Sequence, residues 1–164
     1  MRHARSAAAP WAVVVISVLL TGCARSDVES AVPARNKALV RAAFDRWKAG
    51  TGSPFELLRP TAEWTIVGSS PLSKTYTSKQ QFIDEVIAPF NARMTSPLVP
   101  EVRGLYADGD VVVVFFDGES KVKDGQPYRN TYTWYIHLQA DTIVKVVAFF
   151  DTRRFDELWT RVPG

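Results

Sequence analysis

Three long runs of strand-forming residues follow one another between Asp110 and Asp151: DVVVVFFDGESKV, PYRNTYTWYIHL and TIVKVVAFFD. Each is rich in β-branched and aromatic side chains and is bounded by turn formers, which predicts three consecutive antiparallel strands. Asp124-Gly125, between the first two runs, is a two-residue hairpin signal. Counting outward from it pairs Asp117 with Tyr132, Phe115 with Trp134 and Val113 with Ile136. On the last strand Lys145 belongs outside, so Val146, Ala148 and Phe150 belong inside. The predicted inner face is therefore Val113, Phe115, Asp117, Asn130, Tyr132, Trp134, Val146, Ala148 and Phe150. The other face still carries Val112, Val114, Phe116, Tyr135, Val147 and Phe149. A sheet apolar on both sides needs cover on both. Helices cover one; the expected cover of the other is a second copy of the chain, a homodimer through the outer sheet face.

The segment before the sheet supplies the helices. Asn36 to Ala49 places Leu39, Val40, Ala43, Phe44 and Trp47 on one helical face, and Gly50 and Gly52 end it. Pro54 to Leu58 suits a short second helix. Glu63 to Val67 is a strand candidate, and Gly68 to Thr77 a loop rich in turn formers. Ser78 is a plausible N-cap for a helix with Phe82, Ile83, Val86 and Ile87 apolar, which Pro89 is expected to end or kink near Ala88. Val99 to Tyr106 adds a strand before the turn at 107–110. The fold class is α+β, an antiparallel sheet with N-terminal helices against it, in one domain spanning residues 36–162.

Composition supports a single domain with a substantial core: 46% of the 164 residues are hydrophobic and 12% aromatic. One cysteine excludes an internal disulfide and a thiolate metal cluster. Two histidines, His3 and His137, do not make a zinc site. No metal or cofactor is expected. The formal charge of +3 falls to +1 once residues 1–22 are set aside, because they carry Arg2 and Arg5 and no acid. That balance leaves no electrostatic footprint for nucleic acid.

Residues 1–22 read as an address. A basic start (Arg2, His3, Arg5) precedes the apolar run WAVVVISVLL, which is too short to span a bilayer as a helix. Leu20-Thr21-Gly22-Cys23 resembles the lipobox of bacterial lipoproteins. The resemblance implies cleavage before Cys23, acylation of that residue, and a location in a bacterial cell envelope, lipid-anchored on the non-cytoplasmic side of a membrane. Residues 23–35 then read as the acylated cysteine and a polar tether.

The order helix, helix, strand, helix, curved antiparallel sheet resembles that of the SnoaL-like, or nuclear transport factor 2-like, cone fold, also called cystatin-like. TYTSKQQFIDEV is similar to that family's tyrosine-turn-helix segment, and ADTIVKVVAFFDTRRFDEL to its last strand and following helix. The strand pattern from Gly109 to Asp151 is most similar to limonene epoxide hydrolase, aligned without a gap. The resemblance implies that this enzyme's aspartate–arginine–aspartate set falls on Asp117, Phe115 and Ala148, and its water-holding pair near Ile66 and Gly68. The catalytic set is not retained, and the fold alone does not assign an activity.

Asp117 is the sharpest chemical candidate. In an apolar pocket its carboxyl would be held protonated to higher pH and could serve as general acid or base, with Tyr132 donating to an oxyanion. Alternatively Asp117-Gly118 marks a bulge at the rim. Trp64, Phe115, Asn130, Trp134 and Phe150 are the candidate ligand-binding residues, with Asn130 equally able to be satisfied by backbone. Asp151 reads as a helix cap. Arg153, Arg154 and Arg161 form a solvated face or meet an anionic membrane surface. Three functions follow: binding of a small apolar molecule in the cone; an isomerase, cyclase or dehydratase using Asp117; or a non-catalytic scaffold of an envelope complex.

Overall fold

The computed structural model of the protein describes residues 23–163. The expected signal peptide, residues 1–22, lies outside them. Helix α1 (Cys23–Lys48) takes in the stretch that the sequence reading sets apart as a tether. Its buried stripe is Asn36, Val40, Ala43 and Phe44, with Trp47 half-buried at its end. A Schellman motif closes it: Gly50 N–H donates to Trp47 O at 3.0 Å and Thr51 N–H to Arg46 O at 2.9 Å. Gly50 has φ +70°, which only glycine adopts without strain. No helix among the described residues is long and apolar enough to cross a membrane.

A 3-10 turn (Pro54–Leu57) leads into β1 (Leu58–Ile66), and a short β2 (Thr75–Tyr76) pairs back onto it. Ser78 caps α2 (Lys79–Phe82), its Oγ accepting from Gln81 N–H at 3.1 Å. The helix does not stop near Ala88. It passes through a π-helical turn (Ile83–Ile87) and continues as α3 (Ala88–Ala92). Ala88 N–H reaches back five residues to Ile83 O. The widened turn relieves the clash that the Pro89 ring would make with an α-helical carbonyl, so the proline is absorbed rather than terminating.

Strands β3 (Val99–Asp108), β4 (Val111–Lys121), β5 (Pro127–Gln139) and β6 (Thr142–Phe150) form an antiparallel meander. The full order is β2-β1-β6-β5-β4-β3. One pair departs from the expected antiparallel pattern: β1 lies parallel to β6. No hairpin joins those two, so nothing local dictates their sense. The sheet is thus mixed, curved and unclosed, with register shifts in three of its pairs. Asp151 Oδ1 then caps α4 (Thr152–Arg161), accepting from Arg153 and Arg154 N–H at 3.1 and 3.4 Å.

The β4–β5 hairpin corrects the expected facing of β4. Its loop has three residues, Lys123-Asp124-Gly125, closed by Val122 N–H to Gln126 O at 3.3 Å and Gly125 N–H to Val122 O at 3.0 Å. Gly125 takes the left-handed position, φ +82°. The extra loop residue slips the pairing by one. Asp117 meets Thr131, Phe116 meets Tyr132, Val114 meets Trp134 and Val112 meets Ile136. A one-residue slip moves every β4 side chain to the opposite face. Val112, Val114 and Phe116, expected outside, are in the core with no exposure at all; Val113, Phe115 and Asp117 face outward. On β5 and β6 the expected facing agrees: Asn130, Tyr132, Trp134, Val146 and Ala148 are buried, and Lys145 is exposed.

Candidate functional site

A cavity of about 620 Å³ opens between the concave sheet face and its helical cover. β1 contributes Trp64 and Ile66, β5 Tyr132 and Trp134, β6 Ala148 and Phe150; Trp47 ends α1 and Phe55 sits on the 3-10 turn. The lid is the α2–π–α3 segment with the following loop, through Phe82, Ile83, Val86, Ile87, Phe90 and Leu98; Phe155 of α4 closes the far side. The π turn supplies three of these lid residues, so the irregularity around Pro89 shapes the wall.

Aromatic edges and faces set the wall's geometry. Trp64 stacks on Phe82 at 4.1 Å between ring centroids and meets Trp134 edge-on at 4.9 Å. Phe116 lies behind Tyr132, stacked at 4.9 Å, and Phe150 packs on Phe155 at 5.0 Å. Such contacts each add about 0.5–1.5 kcal/mol beyond area burial, enough to hold the rings while leaving the space between them open.

Polar side chains on the wall are few and neutral: Ser53, Asn91, Thr95, Ser96, Tyr132 and the amphipathic indoles of Trp47, Trp64 and Trp134. Among the described residues no aspartate, glutamate, histidine, lysine or arginine lines the cavity, and no three of His, Cys, Asp and Glu cluster so as to hold a metal ion. Tyr132 Oη bonds Tyr128 Oη at 2.7 Å, and Asn130 Nδ2 donates to Tyr128 Oη at 3.0 Å, Tyr128 and Asn130 both lying off the lining. Burial, with the neighbouring Tyr128, holds the Tyr132 hydroxyl well above its ordinary range; burial pushes Tyr128 up to about 12.

Of the residues singled out in the sequence, Trp64, Tyr132, Trp134 and Phe150 come together on the cavity wall. Three do not. Asp117 is on the outer face, its side chain 44% exposed, accepting from Arg103 Nη1 at 3.2 Å and Thr131 Oγ1 at 2.7 Å. Phe115 is beside it under the Arg103 guanidinium at 5.2 Å. Both corrections follow from the three-residue loop, and Asp117 and Tyr132 are therefore not opposite one another. Asn130 is buried but fully occupied: Nδ2 donates to Tyr128 Oη and Asp151 O, and Oδ1 accepts from Thr131 and Asp151 N–H. The positions that the hydrolase resemblance implies do not converge. Ile66 and Ala148 line the cavity while Phe115 and Asp117 face away, so a set that must converge on one substrate would be split between two faces.

Tyr128 was the residue missed. The signal was present, since it shares the even parity of Asn130 and Tyr132 on β5. Phe55, Phe90 and Leu98 could not be placed, because the packing of a lid against a sheet has no local pattern.

No family model and no curated protein matches the chain. Solved structures do. One is an NTF2-like protein from Burkholderia thailandensis, 21% identical, covering 77% of this chain and 96% of that one with a TM-score of 0.60. Another is a candidate SnoaL-like polyketide cyclase from Jannaschia sp. CCS1, 17% identical, covering 80% and 96%, TM-score 0.62. A third is TerC co-crystallised with polyporic acid, 20% identical, covering 75% and 96%, TM-score 0.60. With the helix order and the curved sheet, these matches show the fold: the chain has the cone fold of nuclear transport factor 2-like and SnoaL-like proteins.

Proposed function

We propose that the protein binds one small, largely apolar, ring-bearing molecule in the cone cavity, at a membrane surface of a bacterial cell envelope where acyl chains on Cys23 hold it. The observation that carries the binding reading is the make-up of the wall: aromatic and aliphatic side chains, a handful of neutral polar atoms, and no charged side chain among the described residues. A wall of this kind gains about 25 cal/mol for each Å² of apolar surface it takes from water, and its volume lies within the roughly 300–1,000 Å³ of small-molecule sites. That TerC was crystallised with a small molecule supports the same reading.

The isomerase, cyclase or dehydratase alternative drew on Asp117 as acid and base, and that carboxylate is outside the cavity. The scaffold alternative calls for a filled cone. The anchor reading rests on Leu20-Thr21-Gly22-Cys23 following a short apolar run. The outer sheet face supplies the second contact, a homodimer through Tyr106, Val113, Phe115, Tyr135, Val147 and Phe149.

Native mass spectrometry of the protein gently extracted from its own membrane tests the reading. The expected species begins at an acylated Cys23 and carries an additional small molecule that leaves on gentle activation. A chain that keeps residues 1–22 without acylation overturns the anchor. A chain that neither carries nor takes up an apolar ring compound overturns the binding site.

A further inference from the structure

Two phenols meet at the back of the cavity. Tyr128 and Tyr132 Oη are 2.7 Å apart, and they bring two hydroxyl hydrogens. Their mutual bond uses one, and the other has no protein acceptor among the described residues. Where the second hydrogen sits follows from Asn130 and from burial. The Asn130 amide cannot be turned over, because its Oδ1 accepts from Thr131 N–H at 2.8 Å and Asp151 N–H at 3.2 Å. Its Nδ2 therefore faces Tyr128 and fills one of that oxygen's lone pairs. If Tyr132 donated to Tyr128, the spare hydrogen would be Tyr128's. That residue is 3% exposed, off the cavity wall and against the Phe90 ring at 5.2 Å, where an unmade hydrogen bond carries the full cost of desolvation. If Tyr128 donates to Tyr132, the spare hydrogen belongs to the one phenol that lies on the wall.

We propose that Tyr132 presents its hydroxyl hydrogen to the cavity, so that the site prefers ring compounds bearing a neutral carbonyl oxygen over hydrocarbons of the same shape. This rests on the cavity being the binding site. The absence of any lysine or arginine from the described wall argues against a carboxylate ligand, whose buried charge would stand unpaired. Gly118 helps to fix the donor, since a Cβ there would lie 3.1 Å from the Tyr132 ring. The raised proton affinity of Tyr132 keeps the hydrogen in place at neutral pH.

Fluorenone and fluorene share one ring system and differ by a carbonyl against a methylene. Their affinities for the full chain in detergent are compared by quenching of tryptophan emission, in the native protein and in Tyr132→Phe. Water transfer and partition into detergent are the same for both proteins and cancel in the ratio of ratios. The expected result is a loss of roughly three- to tenfold in the preference for fluorenone over fluorene in the variant. An unchanged ratio overturns the carbonyl proposal and leaves the cavity as a binding site. Failure of both probes to bind the native protein overturns the binding reading, and the carbonyl proposal with it. The carbonyl stretch of bound fluorenone needs no variant: a band below its position in hexane supports the bond, and a band at the hexane position overturns it.

Discussion

Gly118 stands opposite Asn130 across the β4–β5 ladder, where a Cβ would come within 3.1 Å of both Leu98 and the Tyr132 ring. Both neighbours belong to the cavity wall. Gly118→Ala is expected to push one of them inward and to cost about 1–3 kcal/mol of stability, the usual penalty for overpacking, read from denaturant midpoints. Asp117, one residue away, predicts the opposite. Its ion pair with Arg103 is solvent-exposed, so Asp117→Asn is expected to change stability by under about 1 kcal/mol and ring-compound affinity by less than twofold. A tenfold loss of affinity would return the carboxylate to the site. The buried phenols predict a pH limit. Tyr76 and Tyr128 are raised to about 12 by burial, and Tyr132 well above 10. A raised tyrosine keeps its proton in the folded chain after the unfolded chain has lost it. Its stabilisation is complete below pH 10 and is lost as pH rises from 10 through the folded value, by roughly 2 kcal/mol for each group held near 12. Stability should be flat up to pH 10 and fall steeply to pH 12, with much of the tyrosinate absorbance appearing only on unfolding.

At the scale of elements, the register of one hairpin decides which chemistry the cavity holds. Deleting Lys123 would leave Asp124-Gly125 as a two-residue turn between Val122 and Gln126 and keep Asp117 opposite Thr131. Val112, Val114 and Phe116, now without exposure, would then stay in the core. The deletion is expected to leave a single cooperative unfolding transition and no acid in the pocket, and circular dichroism melting checks it. The sequence carried the strands β3 to β6, the Ser78 and Asp151 caps and the inner face of β5 and β6, while β2 lies in the stretch read as a loop; each success has a local cause: period-two alternation, a side-chain oxygen at a helix start, a lysine that belongs in water. β4 has no such marker. It is apolar on both faces from Val111 to Phe116, so its facing depended wholly on loop length. Asp-Gly serves a two-residue turn and the tail of a three-residue one alike, and only the hydrogen bonds of Val122 and Gly125 separate them. Of the two outcomes expected at Pro89, an end or a kink near Ala88, the helix does not end: that rule assumes α-helical spacing, and the π turn before the proline changes that spacing.

For the whole molecule, the slip of β4 alters the outer face without removing its apolar character. Tyr106, Val113, Tyr135 and Val147 form one cross-strand row, and Phe115, Thr133 and Phe149 the next. Tyr135 and Phe149 are 41% and 43% exposed yet meet edge-on at 5.9 Å, and Tyr106 is 65% exposed. The Arg103–Asp117 and Arg129–Glu119 pairs sit along one side of these rows, and Lys145 and His137 on another. An apolar centre with a charged margin is the anatomy of a contact surface, and a standard interface needs about 800 Å² from each partner. Closing it with a second copy leaves both cavities open, because each opens on the opposite side of its own sheet. The chain from Ala24 onward is therefore expected to sediment as a dimer at micromolar concentration. Phe149→Lys should convert it to a monomer with an unchanged far-ultraviolet spectrum, because that side chain contributes to the surface and not to the core. Ring-compound affinity should survive the conversion. A monomer in the parent chain would assign the patch to another partner, and a loss of affinity on dissociation would mean that the two faces of the sheet are coupled.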